Sequence, residues 1–529
     1  MTLSDHSLRQ IDEESINSLP EDAVRTLAIK LLNDLKETRE QVNRNSQNSS
    51  VPPGSEAPWD KGSKYCAEDQ DDDDALLDEE EMADSDLGSL DDGDEEQQQK
   101  ETSQALEETE TKPPRKPGKQ PGAQGFGRVE NIPIHGQEHH HPDGCACCGQ
   151  AFSEQSGKAY TAFDQLDIEW GDPDRPGIAV INTRHVYYEV ECHCGHTTRE
   201  APCRQPPDEL LEDVELSQWR LVGPGLAALV VCLFYRIRLS RQRIREFLHD
   251  WLGITLSVGT INKVIHESGR AAMPVEDELV NEIRQSALAY VDETSWPEGK
   301  QLLWLWVFVS STAIVYWIAR RSEELIKTVL TEEEYKGWLM SDGYKVYRQF
   351  LKRLRCWAHL LRKARGLAES LDKPTQDFGK KTLDLLHTLM DAVKDARKKP
   401  PDKALSEIYR ELLDDYRRTC ERVETSAPTE KARKLAVEML SDWEAIFKVL
   451  DHPHLPLTNN EAERALRHCV ILRRISYGTR THQGSRIFAI LASVIETCRL
   501  RDRSPWRYLE TVIAAGRAGL PVPALPVAA

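Results

Sequence analysis

The sequence predicts a multidomain α/β protein, and three observations carry that reading. Residues 287–319 hold three β-branched and aromatic runs, "ALAYVDETSW", "LLWLWVFVSS" and "AIVYWIA", followed by a helical stretch near 322–334 and a short run "GWLMSD". Such runs suit strands, and three adjacent strands, a helix and a further strand make an α/β sheet. Residues 366–450 then read as helical throughout. The composition also changes several times along a chain of 529 residues, 39% of them hydrophobic, which is enough to bury the cores of more than one domain.

The elements follow in order. In residues 1–50, Val24, Ala28, Leu31, Leu35, Thr38 and Val42 fall at alternating steps of four and three, the seam of a short coiled coil or of a plain amphipathic helix. The polar "RNSQNSSVPPGSE" ends it, because its prolines cannot continue a helix. Residues 51–128 form the next segment. Within it, 67–98 is acidic and poor in aromatics, the composition of a disordered, solvated tail or of an intramolecular mimic of DNA, and 112–128, "KPPRKPGKQPGAQGFGR", is a basic Pro/Gly linker suited to a phosphate backbone. The net charge of -20 arises there: residues 1–111 hold 32 acidic against 9 basic residues, whereas 112–529 hold 56 against 59. The near-neutral remainder has dense basic stretches at Arg348–Arg355 and Arg499–Arg503, so nucleic acid stays open as a partner.

Residues 129–205 carry cysteines at metal-ligand spacing. Cys145 and Cys148 form C-x-x-C, Cys192 and Cys194 form C-x-C, and glycine follows each pair, permitting the tight backbone approach of a zinc knuckle. Four thiolates suit a closed structural Zn2+ site, with Cys147, His139, His140 or His141 as alternatives for one ligand. "IAVINTRHVYYEVE" alternates as a strand that would deliver the second pair from its end. Residues 206–280 are helical in period. Two amphipathic runs join near Gly253 with Ser257 placed to cap the second, where Thr260, Asn262 and Lys263 would face a major groove as in helix-turn-helix readers, or simply pack.

Residues 281–365, 366–455 and 456–529 then read as the first part of a sheet-bearing core, a helical insertion, and the rest of the core with C-terminal helices. Asp292 is read at the end of the strand 287–291, and Asp342 at the end of "WLMSD", where α/β sheets bind ligands. The helix "NNEAERALR" supplies a third acid: Asn459, Glu463 and Arg467 share one face with Asn460 close by, while Glu461 points away. Three converging carboxylates would hold two magnesium ions about 4 Å apart, as in two-metal phosphoryl transfer. Acids among phosphate-binding Asn and Arg residues then need not repel phosphate.

Taken in order, "VDETSW", "SDGYKVY", "CWAHLLRKA" and "TNNEAERALRHCVILRR" resemble the transposases of the insertion sequence 66 family of bacterial mobile elements, DDE transposases with an RNase H-like catalytic core. "RNSQNSSVPPGS" and "RKPGKQPGAQ" are similar to that family's polar stretch and "KPGGQPGH"-type linker, and the family also has a leucine-zipper-like N-terminus and a cysteine zinc module. The resemblance spans nearly the whole chain except the acidic run. It implies that Asp292, Asp342 and Glu463 are the catalytic triad binding Mg2+ or Mn2+. It implies DNA-binding or active-site support from His359, Arg362 and Lys363, and the residues around Glu463 that fit the same role are Asn459, Asn460, Arg464 and Arg467.

The resulting expectation is a magnesium-dependent transposase that cleaves and joins DNA, acting on terminal inverted repeats and target DNA. It would work as a homodimer or larger assembly, with accessory proteins of the same element as further partners. A decayed, DNA-binding derivative and an RNase H-like nuclease are the alternatives. No segment resembles a signal peptide, and "LVGPGLAALVVCLF" is too short and interrupted to span a bilayer, so the expected location is the cytoplasm, at the nucleoid when DNA is bound, with no membrane partner. Twelve cysteines in so long a chain are too few for a disulfide scaffold.

Overall fold

The computed structural model describes residues 21–42, 132–153, 157–171, 174, 176–211, 214–331 and 335–528. The acidic run 67–98 and the basic linker 112–128 lie outside the described residues. Helix α1 (Glu21–Val42) occupies the heptad stretch. Ile29, Leu32 and Leu35 on it are exposed.

A small four-stranded sheet follows. Strand β1 (Gly136–His140) pairs in parallel with β3 (Ile178–Glu191), and β3 pairs antiparallel with both β2 (Lys158–Trp170) and β4 (Thr197–Arg199). The alternating run "IAVINTRHVYYEVE" is β3 in full, and Cys192 follows it directly. Sequence reading missed β2, a mostly half-exposed strand in which only Leu166 and Ile168 are fully buried, so its apolar signal is weak. Two short strands, β5 (Arg204–Gln205) and β6 (Leu216–Ser217), lead into the helices.

Helix α2 (Pro224–Tyr235) is apolar around its whole circumference and correspondingly buried, which makes "LVGPGLAALVVCLF" a core helix. Helix α3 (Arg241–Leu252) ends at Gly253, whose φ of 65° lets the chain turn left-handed, and Ser257 caps α4 (Val258–Ala272) by accepting from the Thr260 backbone N–H. Helix α5 (Val275–Gln285) follows.

The main sheet comprises β7 (Leu288–Glu298), β8 (Gln301–Val309), β9 (Ile314–Ala319), β10 (Trp338–Ser341) and β11 (Arg353–Arg355), with α6 (Glu323–Val329) between β9 and β10. Its five strands run in the order β11-β10-β7-β8-β9. The first three in sequence form an antiparallel meander, while β10 and β11 lie parallel to β7 on its other side. Two expectations are corrected here. Strand β7 does not stop before Asp292: it stays paired with β8 as far as Glu298 opposite Gln301, and Asp292 stands opposite Val307 in mid-strand. The basic stretches are open basic surface only in part: Arg348, Lys352, Arg499 and Arg503 are exposed, and the other three arginines are not. Arg353 and Arg355 lie in β11 and are buried against Asp442 and Glu438, and Arg501 is buried against Glu282.

The insertion contains α7 (Trp357–Ala368), α8 (Lys373–Lys398), α9 (Leu405–Ile408), α10 (Arg410–Thr425), α11 (Glu430–Ser441) and α12 (Trp443–Phe447). It has its own core, including Trp357, Leu386, Val393, Tyr416, Met439 and Ile446, distinct from the core around the main sheet. Helices α7 and α8 approach closely at Gly379, where an added Cβ would stand 2.3 Å from the Ala368 nitrogen and 2.7 Å from the Leu367 carbonyl carbon. Backbone cannot move aside as a side chain can, so Gly379→Ala is expected to cost about 1–3 kcal/mol in chemical denaturation.

The chain returns to the sheet through α13 (Asn460–Ser476), α14 (His482–Leu500) and α15 (Pro505–Arg517). Strand β9 is an edge, and α14 covers it with hydroxyls: the Ile314 N–H donates to Thr497 Oγ1 at 2.9 Å and the Tyr316 N–H to Ser493 Oγ at 2.8 Å. An otherwise open row of backbone donors is thereby satisfied. Among the described residues, no helix is long and apolar enough to cross a membrane.

Candidate functional site

One buried asparagine ties together the elements that carry the acids, although among the described residues the carboxylates of Asp292, Asp342 and Glu463 do not all lie within 4.8 Å of one another. Asn459, at the N-terminus of α13, has 0% exposure. Its side-chain amide donates to the Val291 carbonyl of β7 at 3.0 Å, and its backbone N–H points at Cys356 Sγ, 3.2 Å away, at the head of α7. The first turn of α13 is thus fixed beside Asp292, and Glu463, one turn in, faces the same region. Strand β10, hydrogen-bonded to β7, releases Asp342 immediately past its last residue. There the Asp342 carboxylate accepts from the Tyr344 backbone N–H at 2.9 Å.

The electrostatics record this convergence. Burial, then the neighbouring charges of Asp342, Glu293 and Glu463, push the Asp292 carboxyl well above the usual carboxylate range. Glu293 adds a fourth acid. Its side chain is 1% exposed, Tyr347 Oη donates to it at 2.6 Å, and Arg321 Nη2 pairs with it at 2.6 Å. Burial and then Asp342 raise its pKa to about 7, with Tyr347 and Arg321 opposing.

Glu463 is held from the other side. Arg362 Nη2 reaches its two carboxylate oxygens at 3.2 and 3.4 Å. His359 Nδ1 lies 3.7 Å from it, but burial and then Arg362, Lys363 and Arg355 depress the imidazole to about 3. His359 is therefore neutral, and its Nδ1 is buried without a hydrogen-bond partner, so the approach is not an ion pair. Its Nδ1 lies toward the space that Glu463 also faces. Cys356 Sγ, His359 and Glu463 offer ligand atoms all within 4.8 Å of one another.

The remaining sequence candidates divide by position. Lys363 shares the helix face of His359 and Arg362 but pairs with Glu438 at 2.7 Å rather than with Glu463. Asn459, being buried, can support the site but cannot reach DNA. Asn460, Arg464 and Arg467 are exposed, and Arg464 pairs with Glu461 at 3.1 Å. In the helix pair α3–α4, Thr260 is part of the cap, Asn262 accepts from Arg241 Nε at 2.8 Å and Lys263 is exposed. Sequence reading missed Glu293, Cys356, Tyr347 and Arg321. An acid inside an apolar strand was a legible signal for Glu293; nothing local distinguishes the other three.

The cysteines form a separate centre. Cys145, Cys148, Cys192 and Cys194 bring their sulfurs within 4.8 Å of one another, with 3.6 Å between Cys145 and Cys194 and 3.5 Å between Cys148 and Cys192. Four sulfurs at ~2.3 Å from one tetrahedral ion stand roughly 3.8 Å apart, so the cage fits a metal with little adjustment. The Cys148 backbone amide, foremost among its neighbours, brings the Cys145 thiol down to about 6. Cys147 is exposed and outside this group, and His140 belongs to a different cluster.

Against known proteins, the family model described as "Transposase IS66 family" matches residues 220–487, half of the chain. A relative from Sinorhizobium fredii, the uncharacterized protein y4hP, is 26% identical over 343 residues, covering 55% of this chain and 59% of its own length. Another from the same organism, the uncharacterized protein y4qI, is 23% identical over 383 residues, covering 65% of this chain and 67% of its own. The chain thus spans less than two thirds of y4hP.

Proposed function

This chain belongs to the IS66 family of transposases, and from that premise we propose that it is a DDE-type enzyme that cuts and rejoins DNA. What supports this reading is that Asn459 ties the first turn of α13 to β7 beside Asp292, and that the charges of Asp342 and Glu463 add to the burial that raises the Asp292 pKa. Such a cluster is costly as it stands and is matched by divalent cations. Asp292, Asp342 and Glu463 would hold Mg2+ or Mn2+, which supplies Lewis-acid activation of water and neutralises charge on the transferring phosphoryl group. The strand order β11-β10-β7-β8-β9, an antiparallel meander flanked by two parallel strands, supports an RNase H-like core.

The chain's own residues have definable parts. Asn459 orients α13, Arg362 steers the Glu463 carboxylate, and His359 stands beside it. Arg464 and Arg467, exposed on the same helix, suit contact with phosphate. In the reaction, water breaks a phosphodiester at the element's end and leaves a 3′-hydroxyl. That hydroxyl then attacks a target phosphodiester, one P–O bond forming as another breaks. The four cysteines would hold a structural Zn2+, which supplies a cross-link in a module with few buried apolar residues. The partners that follow are the terminal repeats, target DNA, a second copy through α1, and accessory proteins of the element. The zinc module, the α3–α4 region and the insertion would act as separate units around the catalytic core.

The test incubates purified full-length protein with linear DNA bearing the element's ends and magnesium. Wild type is expected to cleave and join. Asp292→Ala, Asp342→Ala and Glu463→Ala should each lose both activities while retaining a band shift. Cleavage surviving all three substitutions removes these residues from the chemistry. Cleavage without joining identifies a nuclease, and binding without cleavage by wild type identifies a non-catalytic derivative.

A further inference from the structure

The histidine run on β1, an alternative source of ligands for the cysteine centre, has different company in the fold. Glu138 and His140 are two residues apart on one strand and so share a face, and the parallel register places His185 of β3 opposite Glu138. His140 Nε2 lies 3.0 Å from His185 Nδ1, and Glu138 Oε2 lies 3.3 Å from His185 Nδ1 and 4.0 Å from His140 Nε2. We propose that Glu138, His140 and His185 form a second metal site, for a divalent first-row transition ion such as zinc, sharing no ligand with the four-cysteine centre.

Two histidines and a carboxylate are the donor set that such ions take. With metal–ligand bonds of ~2.0–2.1 Å, tetrahedral ligand atoms stand roughly 3.3–3.4 Å apart. The three observed separations bracket that value. Two imidazole nitrogens at hydrogen-bond distance share a single proton between them, and a divalent cation in its place would satisfy both nitrogens and the carboxylate together.

The rings are held in position from their faces. Tyr187 stacks on His140 at 4.4 Å and Phe163 on His185 at 5.0 Å. His185 Nε2 is buried without a hydrogen-bond partner, so Nδ1 is the nitrogen its ring presents to the cluster. Access comes from the Glu138 side, whose side chain is 60% exposed against 13% for His185. Three protein ligands leave a coordination position for water. The benefit to the fold follows from the topology: among the described residues β1 is a five-residue edge strand paired only with β3, in a sheet whose buried apolar residues are few. An ion shared by β1 and β3 would clip that edge in place, as metals do in other small modules short of core.

The probe is cobalt(II) alone, titrated into the full-length protein without DNA, so the outcome is independent of the transposase reading. Bound metal is counted after dialysis, and the thiolate-to-cobalt charge-transfer band reports the cysteine centre. Cobalt at the Asp292, Asp342 and Glu463 cluster is common to all the chains and drops out of the comparison. Wild type is expected to retain one more equivalent than His140→Ala or His185→Ala, with the thiolate band intact in both. Cys148→Ser should do the converse. His139→Ala, whose ring turns to Tyr188 Oη at 2.9 Å, should behave as wild type. Wild-type stoichiometry in both His140→Ala and His185→Ala overturns the proposal. Should either lose the thiolate band as well, Glu138→Gln at its exposed position decides: an unchanged cobalt equivalent there overturns the site, and a lost or weakened one supports it.

Discussion

Asp292→Asn is expected to abolish DNA cleavage, by about 10³-fold or more, while making the metal-free protein more stable. The two effects share one cause. Folding brings Asp292 out of water and close to Asp342, Glu293 and Glu463, which raises its pKa. A group whose folded pKa lies above its unfolded value stabilises the fold only while protonated, so its contribution is complete below about pH 4 and is lost as pH rises through the folded value. At neutral pH, above the unfolded value, the raised pKa of Asp292 therefore opposes folding, and the isosteric amide removes that penalty. Magnesium should stabilise wild type by mass action and the variant much less. Thermal denaturation across pH, with and without magnesium, checks this. A variant that is no more stable than metal-free wild type, or that gains as much from magnesium, would show that the clustered charge is not what the cation relieves.

The second large effect lies where the insertion docks. Asp442 on the C-terminal side of α11 has a fully buried carboxylate, with Arg353 Nη2 at 2.8 Å, Arg348 Nε at 3.0 Å and Arg355 Nε at 3.0 Å. Burial works against its ionisation, yet the three arginines outweigh it and hold the carboxyl below its ordinary value. Arg355 has a side chain with 0% exposure and also pairs with Glu438, the partner of Lys363. Asp442→Ala would leave Arg353 buried with an uncompensated charge and Arg355 with Glu438 as its remaining partner, a loss of about 3–5 kcal/mol. Because Arg355 also lies against Gly343, next to Asp342, the damage should reach the site, with cleavage falling alongside stability. Denaturant titration paired with the cleavage assay would measure both. A loss under 1 kcal/mol on the same scale would mean that β11 and the insertion are held together by their apolar contacts instead.

Reading this chain from its sequence worked where the signal was local and periodic. The apolar runs of β8 and β9 and the caps at Gly253 and Ser257 are legible because a strand or a helix end imposes its pattern on neighbouring residues. Asp342 was placed correctly after its strand for the same reason. Strand β11 was not legible: with only three residues, two of them arginines, it looks like surface until Asp442 arrives from 87 positions further along than Arg355. Asp292 was put at a strand end because a charge in an apolar run looks like a terminator. Its mid-strand placement is set by the pairing of β7 with β8, which a local reading of the charge does not reveal.

Cysteine spacing, strand alternation and the ordered motifs by themselves determined the α/β class, the grouping of four thiolates and the family to which the chain belongs. Tertiary structure alone decided that Arg362 grips Glu463, that Glu293 joins the acids, that the arginines of β11 face inward, and that His140 turns to His185 rather than to the cysteines. The physical reason is the reach of each force: backbone hydrogen bonding and side-chain periodicity act between near neighbours in the chain, whereas charge pairing and burial depend on distance in space, which only the folded chain sets.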